Sequence, residues 1–193
     1  MYRQPARVLV PENVRLLLAH VRDQTYSNRN QVMVLLSFKA GLRACEISGL
    51  EWQMVLTSAG RVGHQLTIAG NIAKGGRGRH IPLHPELRNG LKALHQSEGR
   101  PKSGAVMRSE RRDRLTPGSV VNWFGQTYRE LGLVGCSSHS GRRTFITSSA
   151  RILAKTGGSL RDIQELAGHR ALSTTERYIE GDRAAQRRLI NLL

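Results

Sequence analysis

Apolar residues recur along the chain at two different periods, and the changes of period mark out its elements. Val14, Leu17, Leu18 and Val21 fall at i, i+3, i+4 and i+7. Pro11 and Glu12 precede them where a first helical turn tolerates both, so the spacing predicts an amphipathic helix. Residues 31–40 are denser in apolar side chains, and their length and the Gly41 stop read as a buried helix rather than a strand. Ala44 to Leu50 reads as a short helix with Arg43 and Glu46 at its start. Beyond Trp52 the period drops to two. Leu66, Ile68 and Ile72 share one face, as do Ile81 and Leu83, and between them runs Lys74-Gly75-Gly76-Arg77-Gly78-Arg79. Two strands joined by a Gly-rich cationic turn form a β-hairpin, and Pro82 assigns the second strand to a sheet edge.

Helical spacing then returns. Leu87, Leu91 and Leu94 follow Pro85, while Val120, Phe124, Tyr128 and Leu131 follow a Thr116-Pro117 cap and stop at Gly132. Phe145, Ser149 and Ile152 mark a helix after Ser140. Ser159 with Asp162 three residues later is the pattern of a capping box, here for a helix carrying Leu160, Ile163 and Leu166 and ended by Gly168. Ser173-Thr174 opens one more turn that includes Tyr178, and residues 183–193 read as a last helix. Residues 1–7 read as an amino-terminal tail and 97–114, rich in Gly, Pro, Ser and Arg, as a flexible loop. The expected architecture is one domain, mainly α with a small antiparallel β-hairpin (α+β).

Charge and composition narrow what such a domain does. The longest apolar run, Val32 to Leu36, is far shorter than the roughly 20 residues of a membrane span, and Met1 to Pro5 holds no apolar signal segment. Cys45 and Cys136 stand far apart with no CxxC pair, against a disulfide framework or zinc finger. The expectation is a cytoplasmic protein with no membrane partner. Lys plus Arg is 30 against 14 Asp plus Glu, a formal net charge of +16, and 25 of the basic residues are Arg. A planar guanidinium binds phosphate bidentately where Lys is a point charge, so the balance favours a nucleic acid. There is no GxSxG elbow, GxxxxGK[ST] phosphate loop or HExxH pair. His80 and His84 are four apart, but Pro82 between them breaks the helix that would put both on one metal ion.

What remains is a scattered set of cationic and hydroxylic residues, each beside a structural signal. Arg43 and Glu46 are one turn apart, Lys74 begins the hairpin turn, and His139 and Arg142 flank a helix start. His169 ends a helix, and Tyr178 follows nine residues later. Each has an ordinary use too: His139 as a helix cap, Lys74 as a turn lysine, Tyr178 as a half-buried helix residue, Glu46 as a tether for Arg43. Together two Arg, two His, one Lys and one Tyr make a kit for cutting a phosphodiester: Arg neutralises the pentavalent phosphate, Tyr attacks it, and Lys or His moves protons.

The segments GLRACE, AKGGRGRHIPL, HSGRRTF and LAGHRALSTTERYI resemble, in order, the signature boxes of the tyrosine recombinase (phage integrase) family, over about residues 8–192. The resemblance places the family's catalytic residues on Arg43, Lys74, His139, Arg142, His169 and Tyr178, with Glu46 supporting the first Arg. It implies that Tyr178 forms a 3′-phosphotyrosyl link and expels a 5′-hydroxyl. Arg43 and Arg142 would then hold the non-bridging oxygens, Lys74 protonate the leaving oxygen, His139 relay a proton and His169 hydrogen-bond the phosphate. No cofactor is implied, since the covalent link stores the energy of the cut strand. Arg77, Arg79 and Arg143 are expected as DNA-backbone contacts. The implied partner is double-stranded DNA, bound by four protomers at synapsis and by a monomer or weak oligomer otherwise, in a prokaryotic or mobile-element setting on the nucleoid. Members usually carry an amino-terminal helical domain that clamps the far side of the DNA; this chain has almost nothing before its first helix, as in the short, fimbrial-switch-like members or a truncated product. The same residues also suit a type IB topoisomerase, and a non-catalytic DNA-binding regulator is the third reading.

Overall fold

The computed structural model of the chain describes residues 5–73, 75–111, 113–178, 187, 190 and 191. Its first helix, α1 (Pro11–Arg22), carries Pro at its start and turns Leu17, Leu18 and Val21 inward. Helix α2 (Ser27–Lys39) is the centre of the fold: residues 32–38 are all buried. It begins four residues ahead of the apolar run, because its first turn, Ser27 to Asn30, is polar; there Asn30 donates to Gln24. Against α2 pack α1, α4 (Pro85–Ser97) and α6 (Ser140–Thr156). Short α3 (Ala44–Gly49) packs on α5 (Pro117–Glu130), whose Val120, Phe124 and Tyr128 are buried. Truncating a fully buried α2 side chain such as Leu36 to Ala would cost about 2–5 kcal/mol.

The hairpin forms as expected but is shorter. Strands β1 (Gln65–Ile68) and β2 (Arg79–Pro82) pair antiparallel, Leu66 opposite Ile81 and Ile68 opposite Arg79. Ile72 is not on the strand. The chain turns after Ile68, and the Ile72 side chain lies so close to Gly49 of α3 that a Cβ on that glycine would sit 2.7 Å from it. His80 and His84 are engaged separately, the first with Thr67 and the second accepting from the Glu86 backbone at the start of α4.

Residues 97–114 differ from the flexible loop their composition suggests. Val106 and Met107 are buried, the Val106 and Trp52 amides bond to Leu50 and Gly104, and Arg114 pairs with Glu51. Two apolar residues in a polar run are enough to anchor it.

Helix α6 also buries a different face from the expected one. Arg142, Ile146 and Thr147 are inward, Phe145 is half-buried and Ile152 is 52% exposed. The reason lies at its first turn: a Cβ on Gly141 would sit 2.1 Å from the Ser37 hydroxyl oxygen. Only glycine lets α6 approach α2 this closely, and that approach fixes its rotation. Ile146 then joins Ile163 and Ala167 of α7 (Leu160–Ala167) in a small second core, with Phe145, Leu153, Leu160 and Tyr178 against it. The Ser159–Asp162 capping box forms, and Gly168 ends α7 at φ +63°. Helix α8 (Leu172–Glu176) stops two residues before Tyr178, which sits in the following turn. The expected last helix, 183–193, lies almost wholly outside the described residues, as do Met1 to Gln4 of the tail.

Candidate active site

The last turn of an α-helix leaves carbonyls without intrahelical partners, at the negative end of its dipole. In α7 two of these are taken by guanidinium groups. Arg142 donates from Nη2 to the Ala167 carbonyl and from Nη1 to the Gly41 carbonyl, both at 2.6 Å, and Arg79 donates from Nε to the Leu166 carbonyl at 2.8 Å. Arg142 is 3% exposed. Burial, and then the neighbouring charge of Arg43, lowers its pKa to about 10, which leaves it cationic at neutral pH.

Glu46 ties the remaining cations together. Its carboxylate is fully buried and accepts the Arg43 backbone N–H at 2.9 Å, capping α3, and the Arg43 Nη1 at 3.1 Å. It also accepts Arg79 bidentately, at 2.8 and 2.9 Å. Burial pushes the Glu46 carboxyl up, but the hydrogen bonds and charge of Arg79, followed by those of Arg43, outweigh it and hold the group below its ordinary value. Arg43, Arg79 and Arg142 thus meet around one carboxylate and form a centre two positive charges out of balance. Such a centre is electrostatically prepared for a phosphate.

His169 follows directly after the α7 cap. Its backbone is held by Gln164, whose buried side-chain amide donates to the His169 and Arg170 carbonyls at 3.1 and 3.2 Å. Nδ1 lies 2.9 Å from the Thr175 hydroxyl. Half-burial, then the charges of Arg142, Arg43 and Arg79, pulls the imidazole pKa down to about 4, so the ring is neutral at physiological pH. The Tyr178 ring stacks on it at 5.5 Å and 22°, with the Arg143 guanidinium 5.9 Å from the Tyr178 centroid. The Thr147 hydroxyl of α6 donates to the Tyr178 carbonyl at 3.1 Å.

Four of the six expected catalytic residues, Arg43, Arg142, His169 and Tyr178, therefore converge, together with Glu46. His139 is the exposed residue ahead of α6, one turn from Arg143, whose amide bonds to its carbonyl. Lys74 lies outside the described residues; its neighbour Gly75 is near Arg170, since a Cβ there would sit 3.9 Å from the Arg170 side chain. Arg77 is exposed in the same turn, and Arg143 sits over the tyrosine. Arg79 departs from the expectation of a backbone contact: its side chain is 8% exposed and spent on Glu46 and α7. The strand alternation that turns it inward was legible, its buried carboxylate was not. Sequence reasoning also missed Gln164, Thr147 and Thr175. Gln164 could have been found as a polar residue beside Ile163 on the apolar side of α7.

The family model described as "Phage integrase family" matches residues 7–184. The chain belongs to that family. Among curated proteins similar to the chain, the tyrosine recombinase XerC of Azotobacter vinelandii is 31% identical over 183 residues, 93% of this chain and 57% of that protein. XerC of Pelobacter propionicus is 28% identical, over 91% and 55%. The chain thus spans little more than half the length of these relatives. Its fold matches the XerA recombinase at a TM-score of 0.70, with 19% identity over 98% of this chain and 66% of that one. It matches XerH, bound to its palindromic difH substrate in a post-cleavage complex, at 0.73, with 19% identity over 95% and 51%. The fold of this phage integrase family member is therefore that of a tyrosine recombinase catalytic domain. Among the described residues no helix is long and apolar enough to cross a membrane.

Proposed function

We propose that this chain cuts and rejoins double-stranded DNA in site-specific recombination, through a 3′-phosphotyrosyl intermediate. The observation that carries the reading is the stacking of Tyr178 on a neutral His169 beside the Arg43, Arg79 and Arg142 cluster. The Tyr178 phenolic oxygen attacks the scissile phosphorus, the P–O5′ bond breaks, and the phenolic proton leaves through His139. Arg43 and Arg142 take up the negative charge on the non-bridging oxygens, and His169 adds a hydrogen bond. Lys74 gives a proton to the departing 5′-oxygen. Attack by a second 5′-hydroxyl on the phosphotyrosyl link reverses each step and joins the new strands. Arg77 and Arg143 contact the DNA backbone. Exchange between two duplexes is carried out by four protomers; that the partner is DNA is in line with the DNA-bound XerH and Tn1549 transposon integrase structures. These steps serve integration, excision or inversion of a mobile or switchable element.

The test is covalent trapping on a plasmid carrying the DNA that flanks the chain's own gene, supercoiled and in nicked forms that block religation. Wild type should yield a detergent-stable protein–DNA adduct that Tyr178→Phe abolishes while binding is retained. Binding without any adduct on the nicked series would overturn the reading in favour of a regulator. Relaxation of plasmids regardless of sequence would overturn it in favour of a topoisomerase.

A further inference from the structure

We infer that Thr175 sets the tautomer of His169: its hydroxyl donates to Nδ1, so the imidazole carries its proton on Nε2. Thr175 is fully buried, and among the described residues its hydroxyl has one hydrogen-bond partner, His169 Nδ1, at 2.9 Å. A neutral imidazole has a single N–H. Were it on Nδ1, the ring would donate to Thr175, and the Thr175 proton would be left buried with no acceptor. A buried donor without a partner has given up its hydrogen bond to water and gained none in exchange, which is unfavourable. With the proton on Nε2, Thr175 donates to the Nδ1 lone pair and both groups are satisfied.

The surroundings keep the ring neutral, so the tautomer matters. Half-burial, and then Arg142, Arg43 and Arg79, oppose a second ring proton, and Glu46, which favours one, is already matched by Arg79 and Arg43. Gln164 holds the His169 and Arg170 carbonyls and Tyr178 stacks on the ring face, so the imidazole is fixed in position and plane. Nε2 has no hydrogen-bond partner among the described residues. A ring protonated there is a donor for a phosphate oxygen; protonated on Nδ1 it would present a lone pair to that oxygen and repel it. Thr175 is a positioning residue, acting through His169. That last step rests on the function proposed above; the tautomer does not.

Two measurements separate the parts. In the free protein labelled with 15N-histidine, His169 should be the Nε2–H tautomer at pH 7.5, Thr175→Val should shift it toward Nδ1–H, and Thr175→Ser should restore it. A wild-type ring protonated on Nδ1, or one unchanged by Thr175→Val, overturns the inference whether or not the chain cuts DNA. In the trapping assay, Thr175→Val should slow adduct formation at least tenfold, in the range usual for residues that orient a reacting group. Its DNA affinity should stay within about twofold, and Thr175→Ser should recover most of the rate. Equal rates for Val and Ser would overturn the link to catalysis.

Discussion

Arg79 and Glu46 face each other as two planes, joined by hydrogen bonds of 2.8 and 2.9 Å, with the carboxylate fully buried and the guanidinium nearly so. Neither needs DNA to be satisfied, since Arg79 spends its Nε on the Leu166 carbonyl and Glu46 also holds Arg43. The pair therefore binds the hairpin, α3 and α7 together in the free protein.

Removing one member of a buried pair leaves a charge without compensation. Glu46→Gln should lower stability by about 3 kcal/mol, read from urea unfolding at pH 7.5. The pH dependence has a definite sign. In the folded chain Glu46 titrates below its ordinary 4.5, so its contribution is complete above that value and is lost as pH falls through the lower, folded one. The gap between wild type and Glu46→Gln should close on acidification below about pH 4.5, and a gap constant with pH would contradict the assignment.

Arg77 and Arg79, two residues apart, should behave oppositely. Arg77 is exposed, so Arg77→Ala should leave the unfolding midpoint unchanged, weaken DNA binding evenly across sequences and reduce the salt slope by about one. Arg79→Ala should cost about 3 kcal/mol or more of stability and leave the salt slope of the folded fraction nearly unchanged. Denaturation curves and salt titrations of the two variants decide it.

Gly168 occupies the left-handed region at φ +63°, and a Cβ there would sit 3.0 Å from Arg79 Nη1. Arg79 is pinned at the other end, so it cannot move aside without breaking the Glu46 pair. Gly168→Ala should destabilise the chain by more than the roughly 1 kcal/mol of the backbone penalty alone. It should also slow cleavage through the displaced His169 loop. Combining it with Arg79→Ala should cost less than the sum of the two, which a double-mutant cycle measures.

His169 should titrate near pH 4 in the native protein, against 6.5 for an ordinary histidine. Between those values the unfolded chain binds a proton that the native one refuses, so this residue lowers stability as pH falls from about 6.5 toward 4. NMR titration of the imidazole reads it directly; a native midpoint near 6.5 would contradict the burial of the ring and, after it, the closeness of the three guanidinium groups.

The fold was legible where one periodicity met one cap. Helices α1 and α4 came from apolar spacing opened by Pro, and α5 and α7 from spacing bounded by a Thr or Ser cap and a Gly stop, all local signals. The hairpin came from its period and glycines. What escaped depends on partners remote in sequence. The buried face of α6 is chosen by Gly141 meeting Ser37, and Arg79 turns from a DNA contact into a strut because Glu46, 33 residues earlier, lies beneath it. Residues 97–114 conceal Val106 and Met107 among polar neighbours. At the site, chemical type and the family resemblance singled out Arg43, Arg142, His169 and Tyr178, which the fold brings together. Thr175 and Thr147 act by single hydrogen bonds that no composition or spacing announces.

Arg142 holds two backbone carbonyls at once. They belong to Gly41 and Ala167, segments 126 positions apart, and the arginine that joins them lies on a third. The guanidinium at the centre of the candidate site is thus also an interlock. It reaches its working place only after the first and last parts of the domain have closed on each other. A nascent or partly unfolded chain carries the same excess of positive charge, but it does not yet possess the cluster in which Arg43 and Arg79 meet Glu46 beside Arg142.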